Sequence, residues 1–472
     1  MIFPTLSFTL FYLTLWPLSW ALVKAGRHTL HKVALIAASY VFYAFWSWRL
    51  AFLLLGSVFL NWAIGALLGA LKERPILRRI ALGLGLCVNL ATLGFFKYYG
   101  WFSEELNVLL RSWHFERELP LLEIVLPIGI SFYTFQGISY IVDLFRGDLD
   151  RPRPLLDVML FISFFPHLVA GPIVRAAAFL PQLDKPPDPN RVFVSLGVML
   201  ILWGTFKKAV VANWLAVLLV DKVFFDPEAY GARDLLLAAY GYAVQIYCDF
   251  SAYSDIAIGI AALLGYRFQR NFNQPYRAQS VTEFWRRWHM SLSHWLRDYL
   301  YIPLGGSHHG SLRTYTNLMV TMVLGGLWHG AAWKFVAWGS LHGTMLALER
   351  AFGAGMHPAR SKLRQALGIL CTFHFVCLCW IFFRAETWDR ALAYLAGFRE
   401  WHSPATLATP FLSALIVLGL GIQFTPSNML ERLDAVYQRL PTWVVGLLAG
   451  VALLAIDAIS GDESAPFIYF QF

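Results

Sequence analysis

Two histidines stand where an imidazole could do chemistry. His329 lies in GGLWHGAAWKFVAWGSLHG, Gly325 to Gly343, inside a long apolar run. Read as one helix, that run sets Gly325, Gly326, Ala332 and Trp333 three and four residues from His329, with Gly330 beside it. Small neighbours would leave an open notch around the ring, although glycines at a helix crossing equally serve close packing, with the histidine hydrogen-bonded between helices. An ionisable side chain at membrane depth is costly, which makes function the default assignment. His342 and His374 have nothing around them that opens a cavity.

The second histidine, His289, belongs to the polar stretch Tyr266 to Tyr315, which includes YRFQRNFNQPYRAQSVTEFWRRWHMSLSHWLRDYLYIPLGG. Its seven arginines against Glu283 and Asp298 give a net charge of +5. Ser280 and Glu283 have capping-box spacing, which predicts a helix opening at Ser280. Pro303 and the Gly305–Gly306 pair predict its end, so it should run to about Tyr299. On that helix Trp285, His289, Leu292 and Leu296 form an apolar stripe, while Arg287, Ser291, His294 and Asp298 line another face. Spacing alone favours an interfacial helix whose arginines meet anionic lipid. The sharper alternative is an anchor for a phosphate-bearing donor such as coenzyme A, with Arg286, Arg287, Arg297, Trp285 and Trp288 as the binding residues.

A third polar group is QIYCDFSAYSDIAIG, Gln245 to Gly259. Asp249 and Asp255 need partners in an apolar span, and Lys207, Lys208 or the arginines of the next loop are the available cations. Their six-residue separation puts the carboxylates on different helix faces, which argues for structural ion pairs over an acid–base dyad. The five cysteines lack metal-type spacing, and Cys371, Cys377 and Cys379 read as packing residues. No serine elbow, P-loop, dinucleotide fingerprint or metal cluster is present in the sequence, so no metal is expected. The chemistry then rests on histidine. A lone imidazole suits acyl transfer from a thioester, because the donor is already activated and only a base for the attacking hydroxyl is missing.

These residues must be positioned by membrane helices. The 472 residues are 58% hydrophobic and 14% charged, with mean hydropathy +0.55, which excludes a soluble enzyme and a disordered chain. The net charge of +9 reads as basic cytoplasmic loops, with no nucleic-acid partner expected. Thirteen apolar stretches, some too short and two over thirty residues, predict an all-α polytopic protein of about 11 transmembrane helices plus re-entrant or interfacial helices. No internal repeat or soluble block divides it, so a single membrane domain over 1–472 is expected. The first run begins at Phe3 before any positive charge, the reverse of a removable signal. Lys24, Arg27 and Lys32, and then Lys72, Arg74, Arg78 and Arg79, mark cytoplasmic loops and put the N-terminus outside. The loop Lys97 to Glu123, with Glu104, Glu105, Glu116, Glu118 and Glu123 against Lys97, Arg111 and Arg117, suits the outer face.

Several pieces together resemble the membrane-bound O-acyltransferase (MBOAT) family. They are GPIVR (Gly171 to Arg175), FLPQL (Phe179 to Leu183), CDFSAYSDIAIG, NFNQPY, FWRRWHMSLSHWLRDYLYIPLGG, GGLWHG and the terminal PFIYFQF. The resemblance covers nearly the whole chain. It is strongest to the membrane subunits of alginate O-acetylation and reaches the D-alanine transfer proteins of teichoic-acid modification. It implies a ring of helices around a central tunnel, His329 as the invariant intramembrane histidine essential for transfer, and His289 as the second histidine. It further implies acetyl-CoA as a cytoplasmic donor with no permanently bound cofactor, and a serine-bearing acetyltransferase partner in the periplasm. A polysaccharide would be the final acceptor, with the chain in the inner membrane among its lipids and its N-terminus periplasmic. Two other classes stay open on the residues alone: a carrier of a small metabolite or lipid-linked sugar, and a scaffold of a glycan export complex.

Overall fold

A computed structural model describes residues 5–114, 119–122, 124–189, 194–353, 361–426, 429–461 and 466–468. The acidic loop residues Glu116, Arg117, Glu118 and Glu123 and the last four residues of the terminal motif lie outside that set. The described chain is helical, with no strand among the described residues. Two compact units emerge, one of residues 1–193 with 260–269 and one of residues 194–259 with 270–472.

The first unit is built on α1 (Leu6–Lys24), α2 (His28–Ala44), α3 (Trp48–Ala70), α4 (Pro75–Ser112), α5 (Ile130–Arg146) and α6 (Leu155–Ser163). Apolar side chains such as Phe52, Ile76, Leu84 and Phe102 remain exposed on α3 and α4, as lipid-facing surfaces require. Polar side chains turn inward. Asn61 on α3 and Asn89 on α4 exchange amide hydrogen bonds of 3.2 and 3.0 Å, the kind of side-chain bond that joins helices in lipid. Lys32 pairs with Asp157 at 2.6 Å. The indoles of Trp16 and Trp20 both donate to the Leu263 carbonyl at 3.0 Å.

The second unit holds α7 (Val194–Phe206), α8 (Ala232–Leu263, less its last turn), α9 (Val281–Trp285), α10 (Met290–Leu296), α11 (Gly310–His329), α12 (Trp333–Ala351) and α13 (Lys362–Arg384). It continues with α14 (Trp388–Gly397), α15 (Pro410–Gly421), α16 (Met429–Tyr437) and α17 (Thr442–Ile459). Among the described residues, five helical stretches are long and apolar enough to cross a bilayer: 48–70, 75–112, 194–225, 232–263 and 362–384. The expectation of about eleven rests on thirteen apolar stretches, among them ones that overlap the 17–19-residue helices α1, α2 and α5, and a single stretch, Leu318 to Leu348, that the structure divides between α11 and α12.

After α7 the backbone widens into a π-helical stretch, Lys207–Ala212. There the two lysines reach separate faces of α8. Lys207 Nζ donates to Ser251 Oγ and Asp255 Oδ2, both at 2.6 Å. Lys208 Nζ lies 2.6 Å from Asp249 Oδ1, and Asp249 Oδ2 accepts the Ile468 backbone N–H at 2.7 Å. The carboxylates are thus structural ion pairs, as their separation on α8 suggested, and one of them also secures the C-terminal segment. π-Helical insertions are uncommon and tend to mark sites under constraint; this one sets adjacent lysines against carboxylates six residues apart.

Among the described residues, helices α11 and α12 make the most extensive helix–helix contact. A Cβ placed on Gly326 would run into the Phe335 carbonyl, and one on Gly339 into the Met322 carbonyl. Glycine therefore lets the two backbones touch, which is the packing reading of this glycine-rich run.

Candidate active site

The helix expected from Ser280 to Tyr299 is broken. Its start is as the spacing predicts: Ser280 Oγ accepts the Glu283 N–H at 3.1 Å, while Glu283 Oε2 accepts from Gln279 N at 2.8 Å instead of from Ser280. Glu349 on α12 adds a second cap, accepting from Val281 N at 2.5 Å, Thr282 N at 2.8 Å and Thr282 Oγ1 at 2.7 Å. A carboxylate there satisfies orphan donors and meets the positive end of the short helix. Helix α9 then stops at Trp285, and the chain turns through His289, whose φ of +39° and ψ of 54° are left-handed. That conformation is uncommon for a residue other than glycine. A new helix, α10, starts at Met290, so the stripe through Trp285, His289, Leu292 and Leu296 is not a single helical face.

The loop residue Asn271 explains the restart. Its backbone carbonyl accepts from Met290 N at 2.8 Å, and its Oδ1 accepts from Ser291 N at 3.2 Å. Asn271 therefore caps α10 from outside the helix, and the same Oδ1 lies 3.2 Å from His289 Nδ1. His289, Asn271 and Ser254 are each about 1% exposed. Burial lowers the His289 pKa to about 3, so the ring is neutral at physiological pH.

His329 closes α11, with Gly330 as the cap residue. The helix ends there, so Ala332 and Trp333 are not its helical neighbours, and the expected notch is furnished differently. Its ring centroid lies 5.0 Å from those of Trp328 and Phe383 and 5.3 Å from that of Trp338. The residue keeps 8% exposure. The two imidazoles, forty positions apart in sequence, pack around one indole: the His289 and Trp328 centroids are 6.0 Å apart. Phe250 closes the other side of His289 at 4.6 Å.

The aromatic chain extends past His329. Trp338 stands 4.9 Å from His342, whose Nδ1 accepts from Trp285 Nε1 at 3.3 Å. His342 is fully buried. His374, by contrast, is exposed, bonded to Tyr240 Oη at 2.7 Å and to the Leu370 carbonyl at 2.8 Å. Of the other expected binding residues, Trp288 is buried against Phe272 and Trp380, each at 5.0 Å. Arg287 holds Glu283 Oε1 through Nε at 2.9 Å and Nη2 at 2.7 Å, and donates to the Asn273 carbonyl at 3.1 Å. Arg297, exposed, grips Asp298 with bonds of 2.6 and 3.1 Å, and that carboxylate raises its pKa. Arg286 faces solvent.

Asn271, Glu349 and His342 were not singled out as site residues from sequence. Asn271 sits in NFNQPY, where a lone loop amide has no spacing signature, and Glu349 lies just past an apolar run.

Apolar helices with imidazoles in their interior belong to multi-pass membrane proteins in which an ionisable group is kept for use. Residues 146–386 match the MBOAT, membrane-bound O-acyltransferase family, and the chain belongs to that family. It is accordingly an acyltransferase, which removes the carrier and scaffold readings. Over 469 residues it is 39% identical to the "Probable alginate O-acetylase AlgI" of Pseudomonas putida, covering 93% of this chain and 94% of that one. It is 36% identical to a peptidoglycan O-acetyltransferase of Helicobacter pylori over 78% of this chain and 73% of the other. A teichoic acid D-alanyltransferase of Bacillus subtilis is 28% identical over 53% of this chain and 66% of its own length.

Proposed function

We propose that this chain takes acetyl groups from a cytoplasmic thioester, acetyl-CoA, and delivers them across the bacterial inner membrane to a serine-bearing acceptor protein, which passes them to hydroxyls of an alginate-like exopolysaccharide. The observation that carries the reading is the packing of His289 and His329 around the single indole of Trp328. Similarity to an alginate O-acetylase along 93% of the chain supports acetyl as the group and a polysaccharide as the final acceptor. The D-alanyltransferase relatives match about half of the chain, which favours acetyl over D-alanyl transfer.

In this mechanism the acceptor hydroxyl oxygen attacks the acetyl carbonyl carbon while an imidazole takes its proton. The carbon–sulfur bond then breaks, the oxygen ester remains, and the proton passes to the leaving thiolate. A base held within hydrogen-bond reach contributes about 10²–10⁴ in rate. His329 takes this role, and His289 is the second imidazole of the transfer path. The exposed Arg286 guanidinium is suited to a donor phosphate. Arg287 and Arg297 would have to exchange Glu283 and Asp298 for phosphate oxygens to join it. Handing acetyl from protein to protein avoids carrying a charged donor through hydrocarbon. The basic loops carrying Lys24, Arg27 and Lys32 and then Lys72, Arg74, Arg78 and Arg79 support a periplasmic N-terminus.

The test replaces His329 by Ala at matched membrane abundance and weighs ester-linked acetyl on the polymer by mass spectrometry. The expected result is loss of acetylation; polymer acetylated as in the wild type would overturn the role of His329.

A further inference from the structure

We propose that Asn271 is a positioning residue which fixes the tautomer of His289, holding the proton on Nδ1 and leaving the lone pair on Nε2. The inference rests on the reading of His289 as part of the transfer path, and it comes from the hydrogen-bond valences of one buried amide. Backbone N–H groups can only donate. Because Ser291 N donates to the Asn271 side chain at 3.2 Å, the atom it meets must be the carbonyl oxygen, Oδ1. The Asn271 Nδ2 then points the opposite way and donates to Ser254 Oγ on α8 at 3.0 Å, which fixes the amide against flipping. His289 Nδ1 lies 3.2 Å from that same Oδ1. Facing an acceptor, Nδ1 must bear hydrogen.

The neighbouring hydroxyl agrees. Ser291 Oγ donates to Asn271 Oδ1 at 2.9 Å, so the oxygen that stands 3.4 Å from His289 Nδ1 offers it lone pairs. Two acceptors therefore converge on Nδ1 and none of this network can use Nε2. The second imidazole of a transfer path can accept a proton or a hydrogen bond only through the nitrogen that keeps its lone pair, and a partner on the other ring nitrogen sets which one that is. The backbone reinforces the arrangement, since the Asn271 carbonyl holds Met290 N at 2.8 Å and fixes the left-handed turn that aims the ring. Asn271 touches no reacting atom, so its effect should appear in turnover and not in donor binding.

The experiment uses the full chain in washed membranes of its own host with radiolabelled acetyl-CoA, reading acetyl incorporated into polymer. Asn271→Leu keeps the volume and removes the acceptor; Asn271→Asp keeps an acceptor oxygen toward Nδ1. We expect Asn271→Leu to lower kcat by about 10- to 100-fold, taking as the scale the loss when a partner orienting a metal-bound histidine is removed, with KM for acetyl-CoA within about twofold. Asn271→Asp should recover most of that loss. Unchanged kcat in Asn271→Leu, or an equal fall in both variants, overturns the proposal. Should Asn271→Leu fail to accumulate, ¹⁵N-histidine solid-state NMR of the wild-type chain decides, with the His289 signals assigned by their absence in His289→Asn. A protonated Nδ1 with bare Nε2 is expected, and the opposite tautomer overturns the assignment. Full activity in His289→Asn would remove His289 from the transfer path while leaving the tautomer result standing, so the two failures are distinguishable.

Discussion

Removing Lys208 should destabilise the second unit far more than removing its neighbour Lys207. Both ammonium groups lie 2.6 Å from a carboxylate, but the Asp249 side chain is 3% exposed and the Asp255 side chain 23%. Lys208→Met leaves Asp249 ionised in a dry site, and breaking a buried pair in this way costs about 3–5 kcal/mol. Lys207→Met leaves Asp255 less enclosed than Asp249, so the loss is closer to that of a hydrogen bond to a charged group, roughly 1.5–3 kcal/mol. The double variant Lys208→Met/Asp249→Leu removes both charges and should regain much of the loss. It should not reach the wild type, because the Ile468 N–H then loses its acceptor, at about 1–3 kcal/mol for an unsatisfied buried group. Equilibrium unfolding in mixed micelles reads each value, and a double-mutant cycle isolates the coupling, expected at about 2 kcal/mol or more. Equal losses for the two lysines, or strictly additive effects in the cycle, would refute the argument from burial.

Gly339→Ala and Gly326→Ala should each cost about 1–3 kcal/mol by forcing a methyl against a backbone carbonyl, and thermal unfolding of the purified chain checks this; Gly446→Ala, where a Cβ meets nothing within 4 Å, is the control. Glu349→Ala removes the cap of α9 and should lower stability by about 0.5–2 kcal/mol, together with acetyl transfer, since α9 leads into the His289 turn. Acid should weaken the fold through His289. Its folded pKa of about 3 lies below the ordinary 6.5, so the unfolded chain binds the proton more readily. Stability on this account is complete above about pH 6.5 and declines toward pH 3, and His289→Asn should flatten that part of the Tm–pH curve; parallel curves would contradict it.

The sequence makes the helical membrane class plain, because apolar content and span length act on every segment at once. It also exposes the need for ion pairs on α8, since a carboxylate in an apolar span demands a cation, but the choice of Lys207 and Lys208 over the arginines of the next loop came from the tertiary packing. His289 and His329 stood out as candidates by type and setting. Their convergence on Trp328 did not, because helical period relates residues within one element and says nothing of contacts forty positions apart. The break at His289 was hidden for a related reason. Capping signals such as Ser280 and Glu283 are local, whereas the carbonyl and amide that end one helix and start the next come from Asn271, whose placement depends on Ser254 in α8. Propensity favours a continuous helix through Trp288, and tertiary hydrogen bonds override it.

The backbone contact between α11 and α12 bears on how the enzyme turns over. Helices seated on one another through glycine have no compressible side-chain layer between them, so they tilt and slide as one strut. His329, at the end of that strut, has its bearing relative to Trp338 set when the protein folds and not afresh with each arriving substrate. Whatever widening admits a bulky substrate must then come from side chains or from elements outside this hairpin, and in the proposed mechanism the imidazole is the fixed point toward which the acyl group is brought.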